Sequence, residues 1–227
     1  MDAEVHKTIA ELVRDMHKLS SAEDNINTLI GSISSGAVNH VPGAQFAGVL
    51  LVKKKNDFES LGITDPVVEQ LDQIQKQVGE GPCLEAAWEQ PTVWMNNFLE
   101  EQRFPAFAKR AVAETSARSS LSFQLFTHEG AMGALNLFSE EVGAFSRESE
   151  EVGFVYATHA ALALFRARQE MQFNSALASR DIIGQAKGMI MERFTVDAVQ
   201  AFELLRKLSQ DSNIPLADVA RKLVETG

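Results

Sequence analysis

A chain of 227 residues, 45% hydrophobic and 23% charged, is long enough for one domain of ordinary size plus a smaller one, and too apolar to remain unfolded. Its formal charge of −10 argues against a protein that grips nucleic acid by bulk positive charge. No uninterrupted apolar run approaches the roughly eighteen residues of a membrane span. One cysteine, Cys83, forms no internal disulfide and fits a reducing compartment, and the acidic start Met1-Asp2-Ala3-Glu4 is unlike a signal peptide. A cytoplasmic protein with no membrane partner is expected.

Residues 4–19 read as a helix with Val5, Ile9, Leu12, Val13 and Met16 on one stripe, and residues 22–39 as a second with Ile26, Leu29, Ile30 and Ile33. The serine-rich run Gly31 to Gly36 interrupts that second stripe. Phe46 to Val52 is a short apolar run between Gly43 and Lys53-Lys54-Lys55, which predicts a buried strand ending in a charged turn. Helices are expected over Pro66 to Val78, opening at Pro82, and over Phe104 to Ala117. Leu121, Phe123 and Leu125 alternate with Ser122 and Gln124 before a turn at His128-Glu129-Gly130, and Met132 to Phe138 returns, which predicts a β-hairpin. A long helix follows from about Ser146 to Met171. Helix-compatible sequence then continues to Gly184 without proline, and a helix of that length with apolar residues along it pairs with a partner chain. Helices, strands, a hairpin and a helix in this order predict an α+β fold in which an antiparallel sheet is flanked by helices.

The last 48 residues, Arg180 to Gly227, carry three apolar stripes at helical spacing: Ile182, Ala186, Met189 and Ile190; Ala198, Ala201, Phe202, Leu205 and Leu208; and Leu216, Val219, Ala220, Leu223 and Val224. Thr195 is a candidate cap for the second helix. Asp211, Ser212 and Asn213 form a candidate turn, and Pro215 a first helical residue of the third helix. Helices this short are unstable alone, so the stripes face one another in a small all-α bundle. Arg180, Lys187, Arg193, Arg206, Lys207, Arg221 and Lys222 balance Asp181, Glu192, Asp197, Glu203, Asp211, Asp218 and Glu225, so this tail is neutral and the acidity lies elsewhere. A neutral module selects nucleic acid by shape or specific contacts rather than by charge.

Catalytic patterns are missing. There is no GxxxxGK[ST], G-x-S-x-G or H-E-x-x-H run. His6, His17, His40, His128 and His159 have no metal-ligand spacing with one another or with Cys83, and no cofactor or metal is expected. Cys83 has no histidine or basic neighbour in sequence to lower its pKa and reads as a buried, inert thiol. The Gly79 to Cys83 loop offers amides at a helix start, a geometry that suits an anion, but reads more readily as a plain turn. An enzyme is not expected.

Two stretches resemble known families. Ser179-Arg180-Asp181-Ile182-Ile183-Gly184-Gln185-Ala186-Lys187-Gly188-Met189-Ile190-Met191-Glu192-Arg193, then Ala201-Phe202-Glu203-Leu204-Leu205-Arg206-Lys207-Leu208-Ser209, then Leu216-Ala217-Asp218-Val219-Ala220, resemble the ANTAR domain in family order and without a gap. Gly79-Glu80-Gly81-Pro82-Cys83, Phe104-Pro105-Ala106-Phe107, Arg118 to Ser122, Gly133 to Phe138 and Gly143-Ala144-Phe145-Ser146 resemble the GAF domains that precede ANTAR domains in actinobacterial-type regulators. The resemblance implies an N-terminal helix over 1–19, a GAF-like sensor over 20–165, and a linking helix with an ANTAR domain over 166–227. It also implies RNA as partner. ANTAR proteins bind paired hairpins with six-nucleotide loops in nascent RNA, so that a terminator fails to form, and GAF domains bind small molecules or one another. Which ligand this sensor takes, if any, is unknown.

Splayed loop bases are readable by side chains, whereas an A-form stem hides its bases. Arg180, Gly184 and Lys187 share one helix face; Gly188 holds nothing away from the backbone; Gln185 offers a donor and an acceptor. Arg206 and Ser209 belong to the family pattern, and Arg221 and Lys222 suit phosphate. A homodimer with two tails matches two hairpins. Two alternatives stand beside this reading: a helix-turn-helix reader of duplex DNA using residues 215–226, and a purely protein-binding dimeric regulator.

Overall fold

The computed structural model describes residues 26–54, 57–88, 90–125 and 132–226. The helix expected over 4–19, the first residues of the one expected from 22, and the turn at 128–130 lie outside the described residues. The chain divides near residue 166 into two compact units.

The first unit is built on five antiparallel strands, β1 (Phe46–Lys54), β2 (Asp57–Leu61), β3 (Thr92–Met95), β4 (Ser119–Leu125) and β5 (Met132–Ser139), in the order β2-β1-β5-β4-β3. The expected hairpin is β4 and β5. β1 runs on through Lys54, which pairs with Asp57 across a bulge, where a charged turn was expected at the lysines. β2 and β3 were not anticipated, because four or five residues are too few for a period to stand out.

Side chains alternate between the two faces of the sheet. On one, Ala47, Val49, Leu121, Phe123, Leu135 and Leu137 meet Ile30, Ile33 and Ala37 of α1 (Ile26–His40), and Val152, Tyr156 and Ala160 of the long helix that follows the sheet. On the other, Leu50, Val93, Met95, Ala134 and Phe138 pack against α2 (Pro66–Val78), α3 (Pro82–Trp88) and α4 (Pro105–Glu114). The sheet is therefore buried on both sides.

Local signals set the boundaries. α2 starts where Asp65 accepts from the Val67 amide at 2.9 Å with Pro66 behind it, and stops at Gly79, left-handed at φ 72°. The serine-rich run lies within α1 rather than breaking it. There Gly36 lets the helix approach Tyr156, whose ring carbon stands 2.8 Å from where a Cβ would be.

The helix expected from Ser146 is α5, Arg147–Phe194, a single helix of 48 residues. Ser146 and Ser149 exchange hydrogen bonds at its start, and the Ser149 hydroxyl donates to the Pro42 carbonyl at 2.7 Å. Gly153 is more than tolerated: an added Cβ would lie 2.5 Å from the Phe123 ring.

The second unit contains the end of α5 with α6 (Ala198–Ser212) and α7 (Leu216–Thr226). Ala186, Ile190, Ala201, Leu205 and Ala220 form its core, with Ile182, Leu216, Val219, Leu223 and Val224 against them. Four details of the sequence reading change. Asp197, not Thr195, caps α6, because Gln200 three residues on completes a reciprocal capping box; Thr195 stands in the turn at φ 51°. Asp211 and Ser212 finish α6, and Asn213 alone takes the left-handed cap at φ 53°. Pro215 precedes α7, its carbonyl accepting from Asp218 and Val219. Phe202 and Leu208, expected in the core, are 37% and 50% exposed, while Ala201 and Leu205 take the buried side of α6.

Candidate functional site

In the second unit, the part of α5 that carries the Ala186-Lys187-Gly188 step has two distinct sides. Ala186 and Ile190 are buried with Ile182 and Ile183 beside them, while Arg180, Gly184, Gln185 and Gly188 are exposed and Lys187 is half-buried. Arg180, Gly184, Lys187 and Gly188 fall within about 100° of one another around the helix axis, and Gln185 lies at their flank. Neither glycine is required by packing among the described residues: a Cβ added at Gly184 or Gly188 meets nothing within 4 Å.

The other expected contacts are more engaged. Arg206 pairs with Glu203 at 2.7 Å and Arg221 with Asp218 at 2.8 Å, both pairs exposed and so of little energetic weight. Lys222 is exposed. Ser209 donates its hydroxyl proton to the Ile214 carbonyl at 2.6 Å, which closes the turn between α6 and α7. Phe194 and Val199, on either side of the turn into α6, are 65% and 72% exposed.

In the first unit, a group of buried polar side chains lies between the sheet and α3. The register sets Gly48, Asn136, Ser122 and Val93 side by side across β1, β5, β4 and β3. Asn136, Ser122 and Ser120 alternate with residues packed under α1, so they face α3, which lies on β4 and β5. All three are fully buried, and neither the Asn136 amide atoms nor the two hydroxyls have a hydrogen-bond partner. Above them Gln75 accepts from the Cys83 amide at 3.0 Å and donates to the Cys83 sulfur at 2.9 Å. Ser122 faces the same thiol without a hydrogen bond of normal geometry. Asp72, one turn before Gln75, accepts from Ser60 at 2.6 Å through one oxygen, and its other oxygen is unpartnered.

Burial pushes the Asp72 carboxyl up to about 7, with Glu69 adding to the rise and Ser60 opposing it. Burial, then the Asp72 charge, raise the Cys83 thiol well above its ordinary range, against smaller pulls from Gln75 and Ser122. The thiol is therefore a poor nucleophile. The Gly79 to Cys83 loop is a turn. Its Gly81, at φ 146°, leaves room for Gln75, and its Glu80 carboxylate accepts from the Ala106 and Phe107 amides at 2.6 and 3.0 Å, supplying the cap that Phe104 cannot. Among the described residues no group of three or more His, Cys, Asp or Glu side chains is placed to hold a metal ion, and no helix is long and apolar enough to cross a membrane.

Comparison with known proteins follows this division. The family model described as GAF domain matches residues 23–164, and that described as ANTAR domain matches residues 171–224. Among solved structures, the GAF domain of a phosphoenolpyruvate-protein phosphotransferase from Coxiella burnetii is 14% identical with a TM-score of 0.57, covering 73% of this chain and 98% of that one. An N-acylhomoserine lactone-dependent LuxR family transcription factor from Burkholderia cenocepacia is 15% identical with a TM-score of 0.55, covering 71% and 98%. Free methionine-R-sulfoxide reductase from Neisseria meningitidis, in complex with its substrate, is 16% identical with a TM-score of 0.51, covering 75% and 95%. No curated protein matches the sequence. At these identities the solved structures show the fold alone, and the reductase among them shows that this fold also carries catalysis.

The helix-covered antiparallel sheet and, after it in the chain, the small helical module are the parts of the chain that the two family models match, in that order. The chain belongs to the GAF–ANTAR family, in which GAF is the sensor and ANTAR the RNA-binding antitermination domain.

Proposed function

We propose that this chain is a cytoplasmic antitermination regulator whose tail reads the loops of two neighbouring hairpins in nascent RNA, six nucleotides to a loop, under control of a signal received by the GAF unit. The observation that carries the reading is the pair Gly184 and Gly188, exposed on α5 with no neighbour that requires their smallness. Glycine inside a helix is destabilising relative to alanine, so a bare strip that none of the described residues fills suits a strip kept open for something outside it. Arg180 and Lys187 border it with positive charge, and Gln185 brings a donor and an acceptor to its flank, a combination suited to unpaired bases and the phosphates beside them. Arg206 and Arg221 exchange exposed carboxylate partners for phosphate, Lys222 adds a third cation, and Ser209 holds the turn that positions them.

Two copies joined along α5 present two tails to two hairpins, and the second contact forms at high effective concentration. Large apolar side chains exposed on α5 support the pairing: Phe154 and Leu162 in the first unit, Met171, Phe173 and Leu177 in the second. Duplex DNA is the weaker fit, since α7 offers a major groove only Arg221 and Lys222, offset by Asp218 and Glu225. Gel-shift titration of the full chain against a double hairpin, each hairpin singly, and duplex DNA of the same sequence separates the readings. Tight binding to the double hairpin alone supports this one, tight binding to the duplex replaces it, and binding to none leaves a protein-binding regulator.

A further inference from the structure

The exposed strip on α5 does not stop at Gly188. Phe194, the last residue of the helix, lies seven residues beyond Lys187, as Lys187 lies seven beyond Arg180. Two turns of helix separate each pair, so the three fall along one line, within about 40° of one another around the axis and at steps of about 10 Å. Asp181 and Glu192, the carboxylates of this stretch, lie more than about 100° away from Lys187 and Phe194.

A single apolar side chain on a surface needs no explanation, and it is the position of this ring that calls for one. Phe194 is 65% exposed and takes no part in the core of the second unit, although Met191, about one turn before it, and Val196, two residues after it, both pack there. Between Phe194 and Val196 the chain turns at Thr195, whose φ of 51° is a left-handed conformation that a β-branched residue rarely adopts. That corner carries the chain from an exposed ring to a packed valine within two residues.

We propose that Phe194 is the platform on which one unpaired loop base stacks, at the far end of a strip whose cations hold the RNA backbone. The inference rests on the RNA reading of the tail and names a further residue of the same site. The class of ligand follows from three features. A flat apolar ring gives any base a face to stack on. Phe194 ends its helix, where exposed carbonyls disfavour phosphate, so the group it meets is the uncharged base rather than the backbone. An apolar protein surface laid on the ring would also strip water from Lys187 and Arg180, whereas a nucleotide strand brings phosphate to the cations and a base to the ring.

The test is gel-shift titration of the full chain with double-hairpin RNA over a range of salt, comparing wild type with Phe194→Ala, Phe194→Leu and Phe194→Trp. A second set of RNAs carries an abasic sugar at one position of each loop in turn. Phe194→Ala weakens binding about tenfold, Phe194→Leu, which keeps apolar bulk without a ring, weakens it nearly as much, and Phe194→Trp retains it. The salt slope of Phe194→Ala stays that of wild type because no phosphate contact is lost, whereas Lys187→Ala lowers the slope by about one. One abasic position weakens binding by wild type and leaves that by Phe194→Ala unaffected, which identifies the stacked base. Wild-type affinity in Phe194→Ala or in Phe194→Leu overturns the proposal, as do abasic loops that weaken both proteins alike at every position. A lower melting temperature or a smaller mass in solution for Phe194→Ala overturns it too, because either makes the ring a packing residue. If wild type does not bind the double hairpin, the RNA reading fails and the platform with it; if wild type binds and only the Phe194 results fail, the strip stands without the platform.

Discussion

Gly184 and Gly188 sit inside a helix with open space where a side chain would be, so alanine at either position stabilises α5 by about 0.5–1 kcal/mol if stability is all these residues affect. The RNA reading adds the opposite effect on binding. Gly188→Ala should melt at or above wild type yet bind the double hairpin at least about tenfold more weakly, a loss of roughly 1.4 kcal/mol, and unchanged affinity would return both glycines to chance. Asp72 carries a prediction of a different kind. Its carboxyl titrates near 7 in the fold against an ordinary 3.8, because burial favours the neutral form. Its contribution is therefore whole below pH 3.8, shrinks as pH rises, and is gone above about 7, an effect on the order of 4 kcal/mol. Denaturation of Asp72→Asn across pH 4 to 8 should show a flatter profile than wild type and its greatest relative gain at pH 8. The two sides of the tail's first helix were legible at this scale because helical periodicity separates an apolar side from a bare one. The buried polar group between the sheet and α3 was not, because Ser120, Ser122 and Gln124 alternating with Leu121, Phe123 and Leu125 read as a strand wet on one face, and sequence does not show that α3 covers it.

Long periodic segments were read correctly among the elements. α2 was predicted over the residues it occupies, since Asp65, Pro66 and Gly79 mark both ends with capping chemistry. β2 and β3 escaped notice because short strands have little pattern, and they become strands by pairing with β1 and β4. The start of α6 shows why caps are hard to choose: Thr195 and Asp197 are both good capping residues, and the reciprocal bond with Gln200 decides for Asp197. Asp197→Ala should cost about 1 kcal/mol in the second unit, read as lower helicity by circular dichroism on heating, while Thr195→Ala costs far less. In the first unit Gly153→Ala forces a methyl group to within 2.5 Å of the Phe123 ring, so it should destabilise by roughly 1–3 kcal/mol despite alanine's better helix propensity. A gain in stability would show that α5 lies farther from the sheet.

At the scale of the whole molecule, the proposed function needs a pair: two sensors and two tails for two hairpins. Exposed Phe154, Leu162, Met171, Phe173 and Leu177 along α5 are the surfaces that a partner copy would cover, and light scattering should give the mass of a dimer at micromolar concentration. Domain order and fold class were legible in the sequence because the motifs are contiguous, whereas assembly depends on what lies against α5 in a second chain. The most direct test of the account is a gel-shift titration of the full chain at low ionic strength with RNA bearing both hairpins, beside the same RNA with one loop replaced and beside the Lys187→Ala variant. The account predicts tight binding of the intact pair, a loss of at least about tenfold when either loop is replaced, and a similar loss with Lys187→Ala at unchanged helical content. Equal affinity for one hairpin and two, or no binding by a folded dimer, would contradict it.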